Sequence, residues 1–216
     1  IRLVESGPAG GAIFSGVVAR QCNEDKVLSF DMGGTTAKIC LLDAGKPQLA
    51  RSMEVAREYR FLKGSGIPIR IPVIEMVEIG AGGGSIASVS ELGTIAVGPT
   101  SAGSEPGPAS YGRGGVAPTV TDADLVLGRL DPLHFAGGSF GLSTDAALAA
   151  IDTIIGKPLG YDPLVAATGI SEIVDENMAN AAQIHGAESG KELSERTLIA
   201  FGGAAPNHAV RLAEKL

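Results

Sequence analysis

The chain has 216 residues, with 17 Lys and Arg against 24 Asp and Glu and a formal net charge of −7. This length predicts one large domain or two small ones, and the acidic balance argues against nucleic acid or an anionic membrane surface as the main partner, since both need a basic face. The sequence has no apolar run of about 18 residues and no signal-peptide pattern, and its two cysteines, Cys22 and Cys40, are too few for a disulfide framework. We therefore predict a cytoplasmic protein with no membrane partner, in which both cysteines are small buried residues.

The first quarter of the chain predicts a helix followed by an antiparallel meander. Residues 7–22 begin with glycine and proline and continue as a helix. Residues 26–31 and 37–43 have strand composition, and the short glycine-bearing segment between them predicts a hairpin. Residues 48–55 predict a third strand of the same meander.

The middle of the chain predicts a second hairpin between two irregular segments. Residues 57–66 are charged and rich in turn residues, and residues 67–79 are β-prone but interrupted by prolines, which favours an edge. Residues 86–90 and 94–97 predict the hairpin. Residues 98–118 contain many Gly, Pro and Ser, and this stretch is too long for a passive connection, so we predict that it is functional or faces a partner.

The last third predicts mostly helices. Residues 121–130, 144–155 and 170–188 carry apolar side chains at three- and four-residue steps. Residues 196–201 predict a buried strand that continues into a final helix near Pro206. The fold class is therefore α/β, with an α+β chain order in which the sheet-rich part comes first.

The sharpest local feature is the segment Asp-Met-Gly-Gly-Thr-Thr at the first predicted hairpin turn. Glycines can aim successive N–H groups at an anion, hydroxyls add donors, and a carboxylate at the strand end can hold magnesium through water. An ordinary hairpin turn with an Asx-type cap is the alternative. The residues predicted for phosphate and magnesium are Asp31, Gly33, Gly34, Thr35 and Thr36.

A second candidate segment, Gly202-Gly203-Ala204-Ala205-Pro206, stands between a strand and a helix. Its small residues could admit a nucleobase or ribose, and the helix N-terminus offers positive potential. It is not a Walker loop, because no Gly-Lys-Ser/Thr follows, and a tight strand-to-helix turn is the alternative. His208 is the one histidine placed at a candidate site, whereas His185 lies on an apolar stripe and is predicted to be packed in the core.

Other polar features favour structural roles. Residues 137–141 formally match a nucleophile elbow, but no strand precedes them. Asp122 and Asp124 could bind a metal, although a helix cap is the commoner role for Asp122. Lys38 and Arg113 are predicted to be surface charges rather than phosphate ligands.

Taken together, six ordered motifs resemble the hydantoinase A/5-oxoprolinase family, specifically its large central domain. The matching stretches are residues 5–11, 30–36, 79–86, 97–115, 118–132 and 201–209. The resemblance implies an actin-like ATPase (ribonuclease H-like) fold, shared with sugar kinases and heat-shock chaperones. It also implies that residues 1–216 are a central domain, a fragment of a longer chain that lacks its N-terminal lobe.

The same resemblance implies the chemistry. Family members include ATP-dependent hydrolases of cyclic amides such as hydantoins and 5-oxoproline, and nucleotide-using subunits of acetone and acetophenone carboxylases. The implied activity is cyclic amide hydrolysis through phosphorylation of the amide oxygen, with ATP and Mg²⁺ as cofactors and a hydantoinase B-type partner subunit or domain. The alternatives are a nucleotide-binding subunit of a carboxylase-like complex and a purely structural module.

The resemblance also assigns positions to the candidate residues. The first hairpin becomes the phosphate loop, Gly202 and Gly203 lie near adenosine, and Gly82 and Gly83 lie on a loop facing the cleft. Two positions depart from the family pattern. Lys38 stands where members commonly have an acid, and Ser110 stands where many have a cysteine, so a thiol cannot act there.

Overall fold

The computed structural model describes residues 6–55 and 64–216, so most of the charged segment predicted over residues 57–66 lies outside the described residues. The helices are α1 (Ser6–Cys22), α2 (Val120–Val126), α3 (Thr144–Ile151), α4 (Lys157–Leu159), α5 (Pro163–Glu188) and α6 (Ala205–Lys215). The strands are β1 (Lys26–Met32), β2 (Ala37–Asp43), β3 (Lys46–Pro47), β4 (Leu49–Ala50), β5 (Met53–Val55), β6 (Ile67–Ile69), β7 (Val73–Ile74), β8 (Val77–Ile79), β9 (Ser85–Val89), β10 (Ile95–Ser101) and β11 (Thr197–Phe201).

The largest sheet among the described strands is mixed, with the order β11-β1-β2-β3 and β8 also paired to β2. Strands β1 and β2 are antiparallel from Lys26 opposite Asp43 to Met32 opposite Ala37, which confirms the first hairpin. Strand β11 pairs parallel to β1, whereas β2 is antiparallel to both β1 and β3, so the predicted antiparallel meander is present within a mixed sheet. The chain returns through the helical region and enters the sheet beside β1 in the same direction. The second hairpin is also present, as β9 and β10.

The third strand of the meander is not at its predicted position, residues 48–55. The strand that continues the sheet beyond β2 is β3, which has only two residues and ends at Pro47, a residue without a ladder donor. Beyond it, β4 pairs with β7 and β5 pairs with β6 in separate two-stranded ribbons.

Both faces of the main sheet are covered by helices. Leu28, Phe30 and Met32 are fully buried in the core that contains α5, while Val27 and Cys40 pack with α1 on the opposite face. Because both faces are covered, residues 27–30 of β1 are buried without alternation, including the polar Ser29. Cys22, at the exposed end of α1, is solvent-accessible, so its predicted burial is wrong.

The long helix α5 begins earlier than its apolar periodicity indicates. It starts at Pro163, where the missing N–H costs nothing, and the side chain of Asp162 accepts a hydrogen bond from the amide of Leu164 at 2.8 Å. His185 lies in its buried stripe, as predicted. None of the described helices combines the length and the apolar character that a membrane crossing requires.

Candidate functional site

Three glycine-containing segments meet at one end of the main sheet. They are the hairpin tip (residues 33–36), the glycine loop (residues 82–84) and the helix-entry turn (residues 202–204). The amide of Gly83 donates to the carbonyl of Gly33 at 3.0 Å, and the amide of Ala204 donates to the carbonyl of Met32 at 3.0 Å. The structure therefore brings together all three segments in which the sequence predicts ligand contacts.

The hairpin tip presents backbone donors to solvent. The amide of Gly33 donates to the carbonyl of Thr36 at 3.1 Å and closes the turn. Gly34 and Thr35 are exposed, and within residues 6–55 and 64–216 their amides donate to no protein group. Two adjacent unpaired N–H groups at a turn can bind an anion.

The carboxylate of Asp31 lies beside this tip, at the end of β1. Asp31 is half-buried and stands opposite Lys38 across the hairpin. Among the described groups, none donates a hydrogen bond to it. Burial raises the pKa of Asp31 above its usual range, and the charge of Lys38 partly offsets this rise. A half-buried carboxylate without a protein donor has the chemistry that a hard cation needs.

Lys38 is more closely integrated into the hairpin than a surface charge would be. Its side chain is only 14% exposed and pairs with Glu78 at 3.0 Å. It also donates to the hydroxyl oxygen of Thr36 at 2.9 Å. The position that carries an acid in the family pattern therefore places a cation, paired with Glu78, beside the hairpin tip.

Gly82 and Gly83 pack against the backbone of the hairpin tip and do not line an open cleft. Both are buried, the amide of Gly82 donates to Ser85 Oγ at 2.9 Å, and the amide of Gly83 is paired with Gly33 as described above. A Cβ on Gly82 would lie 2.7 Å from backbone atoms of Gly34. Glycine is needed here for close backbone approach, and this contact replaces the predicted ligand contact.

The helix-entry turn leaves its glycines exposed. Gly202 has a φ of +91°, and a Cβ there would lie 2.6 Å from Asp31 Oδ1. Apart from its chain neighbours, no heavy atom of the described residues lies within 4 Å of the Cβ position of Gly203. Helix α6 follows with Pro206 in its first turn and no side-chain cap, so the positive end of the helix is available to a ligand.

His208 lies inside the protein, one turn into α6, and its ring is fully buried. Its Nδ1 is 2.8 Å from Asp175 Oδ1 and its Nε2 is 3.1 Å from Asp124 Oδ2. Burial alone lowers the pKa of His208, but the hydrogen bonds and charges of the two carboxylates outweigh it and raise the pKa to about 9. The predicted direct ligand contact is thus replaced by contacts of a buried ring with two carboxylates.

Asp122 anchors the glycine-rich stretch next to the site. Its buried carboxylate accepts hydrogen bonds from the amides of Ala109, Ser110 and Thr119 at 3.2, 2.8 and 2.8 Å. With Thr119 it forms a capping box, so α2 begins at Val120 and Asp122 is its third residue rather than its cap. The carboxylate oxygens of Asp122 are thus occupied by protein donors, which favours a structural role for this side chain.

Asp122→Asn is expected to lower the free energy of unfolding by about 2 kcal/mol, because its amide group would face the N–H of Ser110 and leave a buried donor unpaired. Urea denaturation followed by circular dichroism measures this change. Asp145→Asn, an exposed acid in the first turn of α3, is the matched control. Equal midpoints for both variants would contradict the anchoring role.

Comparison with known proteins places the chain in a family. The family model described as hydantoinase/oxoprolinase matches residues 1–216. The chain is 40% identical over 216 residues to the caprolactamase subunit alpha of Pseudomonas jessenii, covering all of this chain and 30% of that protein. It is 33% identical over 228 residues to the 5-oxoprolinase of Saccharomyces cerevisiae, covering all of this chain and 17% of that protein.

Two solved structures resemble the fold closely. The crystal structure of the ATP-dependent caprolactamase from P. jessenii has a TM-score of 0.82 at 40% identity, over 97% of this chain and 29% of that one. A nucleotide-free acetone carboxylase, from work on ATP-dependent acetone carboxylation, has a TM-score of 0.84 at 27% identity, over 97% of this chain and 28% of that one. The chain thus spans less than a third of these relatives' length. The whole-chain match confirms the resemblance that the six motifs indicate: the chain belongs to the hydantoinase/oxoprolinase family.

Proposed function

We propose that this chain is the nucleotide-binding central domain of a larger enzyme that hydrolyses cyclic amides at the expense of ATP. The observation that carries the proposal is the exposed hairpin tip, where the amides of Gly34 and Thr35 and the nearby carboxylate of Asp31 have no hydrogen-bond partner in the part of the chain that the structure describes. The relatives support the substrate class, since caprolactamase and 5-oxoprolinase are both named for cyclic amides.

The residues at the site fit a magnesium–nucleotide complex. Asp31 would hold the magnesium ion through water, and the phosphates would be held at the hairpin tip by Gly33, Gly34, Thr35 and Thr36. Gly202 and Gly203, which are exposed and without side chains, leave room for ribose and base at the N-terminus of α6. A mixed sheet with a glycine-bearing hairpin and helices on both faces is consistent with the proposed actin-like ATPase fold.

The chemical problem is that an amide carbonyl is a poor electrophile. Bound Mg-ATP would supply a phosphoryl group to the amide oxygen and release ADP, which makes the carbonyl carbon a better electrophile. Water would then add to that carbon, the ring C–N bond would break with a proton passing to the nitrogen, and hydrolysis would release phosphate. The contribution of this chain's own residues would be positioning and charge neutralisation: unpaired amides and the nearby Lys38 ammonium stabilise negative charge on transferring oxygens without reorganising. These donors are fixed by the hairpin before any ligand arrives.

A second candidate function is a nucleotide-binding subunit of a carboxylase-like complex. The similarity to acetone carboxylase favours it, since that structure superimposes with a TM-score of 0.84. Both functions use the same nucleotide site, and they differ in the group that receives the phosphate. A hydantoinase B-type partner subunit or domain is part of the proposal. The caprolactamase relative is named as a subunit, which supports a partner subunit in general.

The test is ADP release by the chain in its natural polypeptide, together with its natural partner. We expect release to rise with a hydantoin, 5-oxoproline or a lactam, with no need for bicarbonate. Release that requires both a ketone and bicarbonate would favour the carboxylase function. No release with either substrate class would contradict both.

A further inference from the structure

A buried cluster of charged side chains lies beneath the candidate site and joins three helices. His208 of α6 contacts Asp124 of α2 and Asp175 of α5, and all three side chains are at most 2% exposed. Arg129 donates to Asp124 Oδ1 at 3.1 Å and to the hydroxyl of Ser171 on α5 at 2.6 Å. The cluster therefore fixes α2, α5 and α6 to one another through charge-assisted hydrogen bonds.

Two of these helices are also bonded directly to the site. Helix α6 follows Ala204, whose amide donates to the carbonyl of Met32 in the hairpin. Helix α2 carries Thr121, whose amide and hydroxyl donate to the carbonyl of Gly83 at 2.7 and 2.9 Å. Gly83 in turn donates to Gly33 at the hairpin tip. Hydrogen bonds therefore connect the hairpin to the glycine loop and the glycine loop to α2. The buried cluster connects α2 to α6, and the residue before α6 is bonded back to the hairpin.

The protonation state of the ring sets how many hydrogen bonds it can donate to the two carboxylates. An imidazolium donates from both nitrogens, whereas a neutral imidazole donates from only one, and two buried carboxylates without a cation between them are costly. The charged groups that face His208 are Asp124, with Arg129 on its far side, and Asp175. Asp175 Oδ2 is buried with no partner among the described groups, which increases its dependence on the ring.

We propose that His208 is a positioning residue for nucleotide binding: clamped between Asp124 and Asp175, it fixes the helix-entry turn relative to the hairpin tip. The inference rests on the proposed function of this site. The ring touches neither ligand nor reacting atoms, so it acts only through the elements that it holds.

The interaction of His208 with Asp124 and Asp175 depends on pH. The pKa of His208 in the folded protein, about 9, lies above the unfolded value of about 6.5, so the folded state binds the proton more tightly. The stabilisation is complete below about pH 6.5 and is lost as the pH rises through the folded value. Nucleotide affinity should therefore be steady around neutrality and decline near pH 9.

The experiment compares His208→Gln with His134→Gln, an exposed histidine whose side chain is 77% accessible. Calorimetry gives the Kd of Mg-ATP between pH 6.5 and 9.5, and circular dichroism gives the folded fraction. We expect folded His208→Gln to bind at least tenfold more weakly than the unchanged protein at pH 7, and to lack its decline near pH 9. His134→Gln should match the unchanged protein at every pH.

Hydrogen exchange separates this inference from the proposed function. His208→Gln should speed exchange at the hydrogen-bonded amides of Gly33, Gly83 and Ala204 whether or not a nucleotide binds. If the unchanged protein binds no Mg-ATP, the proposed function fails and the exchange result alone decides the positioning role. Asp175→Asn, which keeps one acceptor oxygen, serves if His208→Gln does not fold. Unchanged exchange, or a folded variant with unaltered affinity and pH profile, would overturn the inference.

Discussion

Gly202→Ala is expected to lower the free energy of unfolding by about 3 kcal/mol. The φ of Gly202 is +91°, and the added Cβ would lie 2.6 Å from both Asp31 Oδ1 and the carbonyl oxygen of Met32. Left-handed backbone costs an L-residue roughly 1–2 kcal/mol, and overpacking costs about 1–3 kcal/mol more. Urea denaturation followed by circular dichroism measures the change.

The neighbouring glycine provides the control. Gly203 has open space around its Cβ position, so Gly203→Ala should cost less than about 1 kcal/mol. The clash at Gly202 should also displace the Met32 carbonyl, which accepts the amide of Ala204. A Gly202→Ala protein as stable as the Gly203→Ala protein would show that the close contact with the hairpin is not required.

The first hairpin could be predicted because its signals are local. The predicted strands, residues 26–31 and 37–43, agree with β1 and β2 to within one residue. Two strand-forming segments separated by paired glycines indicate both the strands and the turn. These signals lie within one short stretch of the chain and do not depend on distant residues. The parallel pairing of β11 with β1 could not be predicted in this way, because the paired residues are about 170 positions apart.

The candidate site shows the same division between local and distant signals. The sequence indicates that Gly82 and Gly83 need close approach, but it does not say whether the approaching group is a ligand or, as found, the backbone of the hairpin. It indicates that His208 lies near the helix-entry turn. Its burial depends on Asp124 and Asp175, which are 84 and 33 residues away, so no pattern near the histidine could reveal it.

The structure gives a physical meaning to Lys38, which stands where family members commonly have an acid. From the sequence, replacing the usual acid by lysine indicates only the loss of an acid role. The cross-strand register then places this lysine opposite Asp31 and within reach of Thr36. The ammonium group of Lys38 is therefore part of the hairpin that carries the candidate site. The prediction of a surface charge, which used only neighbouring residues in the sequence, did not include these contacts.

Asp31→Asn is expected to weaken Mg-ATP binding at least about 100-fold while leaving the fold intact. The carboxylate is proposed to hold magnesium through water, and a neutral amide is a much poorer partner for a hard dication. Because no described group donates to this carboxylate, the substitution leaves no buried donor unpaired. Burial raises the pKa of Asp31, so the folded state disfavours its charge, and the neutral variant should be at least as stable at pH 7.

Calorimetry with Mg-ATP and thermal denaturation test both halves of this prediction. Asp145→Asn is the control, since it removes the same charge at an exposed position in α3. Loss of binding in Asp31→Asn with an unchanged melting temperature supports a cation site at the strand end, because a structural effect would lower both. Equal affinity in the two variants would remove Asp31 from the site and leave the hairpin tip as an ordinary turn.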